Sequence, residues 1–310
     1  MDHATALREL GVRPDTLTDA ERGRLDSEGW LVWEDAFSAQ EAKAMRDAID
    51  RILDQQVTAG MENPGDSGSE MVFGITGRDI AFAPILLQPR VWAAAKHLFG
   101  DFPFYGGNEN LRTPLPGNGL QSIHSDNPPV PLGAPWHTMQ VVYAAGDITA
   151  EMGATRLIPG SQRNQKAAHE VLDDPVAVQS GQIQLVAPAG SVVVFNANCW
   201  HGGMTNLTTK RRYAVFGTMK RHEKFREHPR PTPPALASLP AAAKFLFGDN
   251  PWLDDPMQAN PFTCWCCGIR RDCHSKGPVD VGALDQDAQG LRVIHDLSMA
   301  TYGLAPTTIL

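Results

Sequence analysis

The sequence predicts a mainly β protein with flanking helices, and three observations carry that expectation. Helix-start signals crowd the first hundred residues or so, the hydrophobic period changes near Phe102, and short strand-like runs then alternate with Gly/Pro turns up to Met219. Such a helical start followed by a run of strands points to a β-sandwich or barrel with helices packed on one outer face. At 310 residues the chain could hold two average domains, but single β-barrels reach this size, and one domain is the expectation.

The helical part spans 1–101. Thr18-Asp19-Ala20-Glu21 and Ser38-Ala39-Gln40-Glu41 both match the capping box, in which the hydroxyl accepts from a backbone N–H and the glutamate reaches back. After the second box, Ala42, Met45, Ile49, Ile52 and Leu53 recur on one helical face and read as core. Between the helices Gly29 permits a stop, and Trp30-Leu31-Val32-Trp33 reads as a short strand. Residues 63–69, rich in Gly, Ser and Pro, read as a flexible loop. A further helix is expected from Pro89, where a missing N–H costs nothing, to Gly100.

The β core is expected over 102–221. Phe104, Gly106, Asn108, Asn110 and Arg112 alternate with Tyr105, Gly107, Glu109 and Leu111. Further runs follow at Met139 to Ala144, Ile183 to Val186, Ser191 to Asn196 and Arg212 to Met219, with Pro188-Ala189-Gly190 as a turn between two of them. Residues 222–240 are proline-rich and end the pattern. Residues 222–310 read as an extension that starts with a helix at Ala241 to Phe247. Within it Trp252, Leu253, Met257, Phe262 and Trp265 would be costly to leave exposed, so the segment Pro251 to Cys273 is expected to lie over the barrel mouth or to pack on the helices.

Composition narrows the function. A formal net charge of -8 and a pI near 5.7 argue against a nucleic-acid partner. The basic clusters Lys210-Arg211-Arg212 and Lys220-Arg221 read as solvated strand ends. No apolar run reaches membrane-spanning length, and the N-terminus lacks the features of a secretory signal, so a soluble cytoplasmic protein is expected. The odd cysteine count of 5 does not suit a disulfide framework. Cys264, Cys266, Cys267 and Cys273 are spaced poorly for tetrahedral zinc and read as reduced thiols, their role open. Nothing in the sequence speaks to oligomeric state.

One motif carries chemistry. His124-Ser125-Asp126 is the chain's His-x-Asp pair, and His201 and Arg212 follow downstream. If the pair lies on a strand, the period of two turns both side chains to one face. His201, from a distant strand, would complete a two-histidine, one-carboxylate triad that leaves part of the metal open, a donor set suited to Fe(II). Arg212 could hold the far carboxylate of 2-oxoglutarate, because a guanidinium offers two parallel donors and stays charged. It shares parity with Ala214 and Phe216, which are expected to face inward, and a buried arginine needs an anion.

A His-x-Asp pair is common by chance, but its surroundings are specific. Pro116-Gly117-Asn118-Gly119-Leu120-Gln121-Ser122-Ile123 precedes it, and Gly153-Ala154-Thr155-Arg156-Leu157-Ile158-Pro159-Gly160-Ser161 and His201-Gly202-Gly203 follow in order. From about Leu17 to Arg221 the chain resembles the phytanoyl-CoA dioxygenase family of Fe(II)/2-oxoglutarate dioxygenases. Where many members read Pro-Gly-Ser-His this chain has Gln162, a position that does not ligate metal in the family. The resemblance implies a double-stranded β-helix, the cupin-like jelly roll. It also implies Fe(II) as cofactor, with 2-oxoglutarate and O2 as cosubstrates. Gln121 and Thr155 match positions that approach the cosubstrate, although polar residues beside turns also cap backbone. In halogenating relatives a small residue replaces the carboxylate, so Asp126 favours hydroxylation or another oxygen-derived oxidation.

Other residues carry bland alternatives. Asn108, Asn110 and Arg112 would share a strand face, meeting substrate if inward and solvent if outward. Trp200 reads as core, Cys199 as a weak candidate for a further soft ligand, and His97, His137, His169 and His295 as structural or exposed. The expected activity is oxidation of a small organic molecule in natural-product biosynthesis, with release of succinate and CO2. A cupin-like isomerase, or a jelly roll that binds ligands without catalysis, is the alternative.

Overall fold

The computed structural model describes residues 1–58, 64–65, 68–73, 75–221 and 237–247. In chain order the strands are β1 (Trp30–Trp33), β2 (Pro64–Gly65), β3 (Ser69–Phe73), β4 (Phe104–Pro114), β5 (Thr138–Ala144), β6 (Arg156–Ile158), β7 (Ile183–Gln184), β8 (Val192–Asn196), β9 (Trp200–Gly202) and β10 (Ala214–Arg221). The α-helices are α1 (His3–Glu9), α2 (Asp19–Ser27), α3 (Ala39–Thr58), α4 (Ala83–Leu86), α5 (Pro89–Phe99) and α6 (Ala241–Phe247).

Local signals place the helices where the sequence puts them. Thr18 and Glu21 form the reciprocal box at the start of α2, and Ser38 and Glu41 do the same before α3. Pro89 opens α5 and Gly100 closes it at φ 66°, a conformation that lacks a Cβ penalty only in glycine.

A seven-stranded sheet runs in the order β1-β8-β5-β10-β4-β3-β2, and a three-stranded sheet in the order β7-β6-β9. All the pairings are antiparallel. Both faces of the large sheet are covered. Val141, Tyr143, Val192, Val194 and Val215 pack with Met45, Ile49 and Trp92 of the helices. Val142, Ala144, Val193, Phe195 and Ala214 pack with Ala154, Leu157 and Leu185 on the small-sheet side. Burial on both faces explains why Val192-Val193-Val194-Phe195 is continuously apolar instead of alternating.

The strand read at Trp30 to Trp33 forms and joins the large sheet, and β3 is a further strand ahead of the expected β core. β1 pairs with β8, and β3 pairs with β4, so the segment 1–101 supplies strands as well as helices. The segment read as a loop contains β2 and the first residue of β3; β2 pairs back on neighbouring β3, and β3 pairs with distant β4, a partner that a local reading cannot see. The basic clusters are not simply solvated ends. Lys220 and Arg221 are each only 5 % exposed, and Arg221 donates to the carbonyl of Pro135 and lies over the Phe102 ring. Cys264, Cys266, Cys267, Cys273, His295 and the segment Pro251 to Cys273 lie outside the described residues. Among the described residues no helix is long and apolar enough to cross a membrane.

Candidate active site

His124 and His201 meet across an isolated antiparallel bridge. The His124 amide donates to the His201 carbonyl at 2.9 Å, and the His201 amide returns the bond at 2.8 Å. His201 stands in β9. His124-Ser125-Asp126 does not lie on a regular strand, contrary to expectation. At Asp126 the chain turns so that its amide donates to Ala197 at 3.0 Å, and Pro128 and Pro129 follow, which have no N–H with which to extend a ladder.

The bridge and turn still bring the three side chains together. His124 Nε2 lies 3.6 Å from Asp126 Oδ1, and His201 Nε2 lies 3.6 Å from Asp126 Oδ2. One donor atom from each residue lies within 4.8 Å of the others, and no second such cluster of His, Cys, Asp or Glu occurs among the described residues.

Both imidazoles are oriented by their far nitrogens. His124 Nδ1 lies 2.9 Å from the Ser122 carbonyl and His201 Nδ1 lies 2.8 Å from the Cys199 carbonyl. A carbonyl only accepts, so each Nδ1 carries a proton, which in the neutral ring leaves the lone pair on the Nε2 that faces Asp126. Burial pushes the His201 pKa down, with the nearby His124 and Arg112 charges adding to it and Asp126 opposing it, which favours the neutral, ligand-competent ring. Gln140 Nε2 donates to Asp126 Oδ2 at 2.7 Å. This set of two imidazole nitrogens and one carboxylate, with His124 and Asp126 half-buried and His201 buried, fits a divalent iron.

Arg212 is buried just before β10, at 4 % exposure. Its Nη1 donates to the Gly153 carbonyl and its Nη2 to the Arg112 carbonyl at 3.1 Å, while its Nε has no partner. No carboxylate among the described residues pairs with it. Burial, with Arg112 adding, pushes its pKa down to about 9, still cationic at neutral pH. A buried guanidinium without a counter-ion fits an anionic ligand such as a dicarboxylate. Arg211 faces the other way, to Asp50 at 2.9 Å and Glu70 at 3.3 Å.

The remaining residues are placed unevenly. Gln121 Oε1 accepts from the Gly203 amide at 2.9 Å, so it ties the loop before His124 to the turn after His201. Thr155 is buried beside Gly153 and Ala154. Asn110 stands opposite Phe216 in the register, and Arg112 lies close enough to act on both His201 and Arg212. Asn108 does not follow them by plain alternation, because a register shift separates the pairs Phe216–Asn110 and Thr218–Gly107. Its side chain lies outside the described residues. Cys199 points away from the triad, its Sγ 3.3 Å from Gln162 Oε1, and burial pushes its pKa up to about 12. Trp200 is buried with Ile123 and Ala168.

Two contributors escaped the sequence reading. One is Gln140, whose only local signal was a polar residue in an otherwise apolar strand. The other is Arg156, fully buried, which donates to the carbonyls of Gln121, Pro175, Val176 and Ala177.

A family model for Phytanoyl-CoA dioxygenase (PhyH) matches residues 25–214. The chain is similar to Dioxygenase af480 of Aspergillus fumigatus, 28% identical over 208 residues, covering 63% of this chain and 64% of that protein. The match therefore spans less than two thirds of that relative. Uncharacterized protein Rv1501 of Mycobacterium tuberculosis is 25% identical over 213 residues, 66% of this chain and 76% of that one. Among solved structures, HygX from Streptomyces hygroscopicus with nickel and 2-oxoglutarate bound superposes with a TM-score of 0.53 at 16% identity, covering 66% of this chain and 87% of that chain. The non-heme alpha ketoglutarate dependent carbocyclase SnoK from nogalamycin biosynthesis gives 0.52 at 17% identity, covering 67% and 85%. The likeness to these structures is one of fold, the double-stranded β-helix.

Proposed function

Because the chain belongs to the phytanoyl-CoA dioxygenase family, we propose that His124, Asp126 and His201 hold Fe(II) and that Arg212 holds the distal carboxylate of 2-oxoglutarate. The observation that carries the reading is the convergence of two imidazole Nε2 atoms and one carboxylate, together with a buried arginine that lacks a counter-ion among the described residues. The protein is then a cytoplasmic dioxygenase that oxidises a small organic molecule of specialised metabolism. For hydroxylation the balance is substrate C–H plus O2 plus 2-oxoglutarate giving substrate C–OH, succinate and CO2, one oxygen atom entering each of the first two products.

Iron(II), when bound, supplies the redox chemistry that activates dioxygen. The protein's own part is electrostatic and positional. The carbonyls of Ser122 and Cys199 hold the two histidines in the ligating tautomer. Asp126 brings the negative charge that a dication requires. Arg212 holds one end of the keto acid at a fixed place, so its other end is oriented toward the triad. Gln121 and Thr155 are proposed to approach the cosubstrate, while Asn110 and Arg112, with Asn108 on the same strand, are the groups proposed to meet substrate. A cupin-like isomerase would leave the buried Arg212 cation without a use, and a ligand-binding relic would have no need of both oriented histidines.

The test is anaerobic titration of Fe(II)-loaded protein with 2-oxoglutarate. A visible charge-transfer band and, on admitting air, succinate formation are expected. An unchanged spectrum together with no succinate would overturn the reading, and Asp126→Ala should abolish both signals.

A further inference from the structure

We propose that Gln140, held by Thr218, is the positioning residue for the Asp126 carboxylate. The proposal rests on the reading of the triad as a metal site. The two histidines are each anchored by a backbone carbonyl, but Asp126 sits on an irregular turn with no strand to set its side chain. Its anchor is the Gln140 amide, 2.7 Å from Oδ2. Gln140 is itself fixed from behind, where Thr218 Oγ1 donates to its Oε1 at 3.0 Å. The two residues are direct cross-strand partners on β5 and β10, and Thr218 is buried at 9 % exposure.

The order of donors is forced. A side-chain amide has a donor end and an acceptor end, and a carboxylate only accepts, so Nε2 faces Asp126 and Oε1 faces the hydroxyl. The amide engages one carboxylate oxygen and leaves the other free to ligate. It also joins the two halves of the site. The turn carrying Asp126 takes its backbone bonds from Ala197 and, through His124, from His201, whereas Gln140 and Thr218 belong to the middle of the large sheet. Such outer hydrogen bonds orient ligands and raise metal affinity.

Metal-free protein is titrated with Mn(II), free ion being followed by electron paramagnetic resonance, for wild type, Gln140→Leu, Thr218→Val, the double variant and Asp126→Ala. Gln140→Leu should weaken Mn(II) binding on the order of 10- to 100-fold, with the melting temperature of the metal-free protein unchanged. Thr218→Val should weaken binding when introduced into wild type and add nothing when introduced into the Gln140→Leu variant, a coupling that general loss of packing would not produce. Wild-type affinity in Gln140→Leu, where Asp126→Ala has lost binding, overturns the proposal and leaves the triad standing. Equal losses from Thr218→Val in both backgrounds overturn the relay. Absence of Mn(II) binding in wild type removes the triad reading and this inference with it. Should Gln140→Leu fail to fold, Gln140→Met, similar in length and without a donor, takes its place and must lose affinity; unchanged binding there overturns the proposal.

Discussion

Arg211 and Arg212 are adjacent in the chain and reach opposite sides of the large sheet. Arg211 pairs with Asp50 and Glu70, whereas Arg212 is buried against the Gly153 carbonyl with its Nε unpartnered. Arg212→Ala should raise the apparent KM for 2-oxoglutarate on the order of 30-fold or more, the factor for about 2 kcal/mol from a desolvated charge pair. Metal affinity should hold. 2-Oxoglutarate should raise the melting temperature of wild type and not of this variant. Arg211→Ala removes half-exposed ion pairs, so it should cost about 1 kcal/mol of stability or less and leave KM alone. Equal KM effects from the two would show that the opposed orientation is wrong.

Gly153 links Arg212 to the fold. Its φ is 76°, and a Cβ there would stand 2.5 Å from the Met204 carbonyl oxygen. Gly153→Ala should destabilise by about 1–3 kcal/mol through backbone strain. By moving the carbonyl that Arg212 uses, it should also raise the KM for 2-oxoglutarate. Thermal melts and steady-state kinetics on the same preparation check both, and a stable variant with unchanged KM contradicts the link.

Arg156 behaves as a staple rather than a ligand-binding residue. Its guanidinium ties the backbone at Gln121 to that of Pro175, Val176 and Ala177. Arg156→Met leaves those carbonyls unsatisfied and should cost roughly 3–5 kcal/mol. Chemical denaturation measures it; a loss below about 1 kcal/mol would mean that water replaces the guanidinium at little cost.

His3 makes stability depend on pH. Its ring packs edge-on against Phe104, with Nε2 2.8 Å from the Phe104 carbonyl oxygen. Burial pushes its pKa below the usual 6.5, the hydrogen bond to Phe104 opposing. Below about pH 6.5 the unfolded chain therefore binds the proton more readily than the folded one, and stability falls with acidification; above that value the group contributes no slope. The difference in melting temperature between wild type and His3→Gln should shrink from pH 7.5 to 5.5. A constant difference would show that His3 titrates alike in both states.

The local part of the architecture was legible in the residues. Thr18, Ser38, Pro89 and Gly100 mark helix ends through atoms a few positions apart, and Trp30 to Trp33, Met139 to Ala144 and Ser191 to Asn196 carry enough apolar, β-branched character to be strands anywhere. The residue types of the triad and the arginine could be named because metal and dicarboxylate chemistry admits few side chains. Tertiary structure decided what depends on partners distant in sequence. β3 exists because β4 satisfies its backbone, and the register of β4 with β10 shifts between the pairs Phe216–Asn110 and Thr218–Gly107, which no local pattern announces. His124 meets His201 through one isolated bridge instead of a strand, and Gln140 acquires a role only because Thr218 and Asp126 stand at its two ends. A hydrogen bond between residues far apart in the chain leaves no period or cap in the sequence of either, since its energy is gained only after the intervening loop has closed.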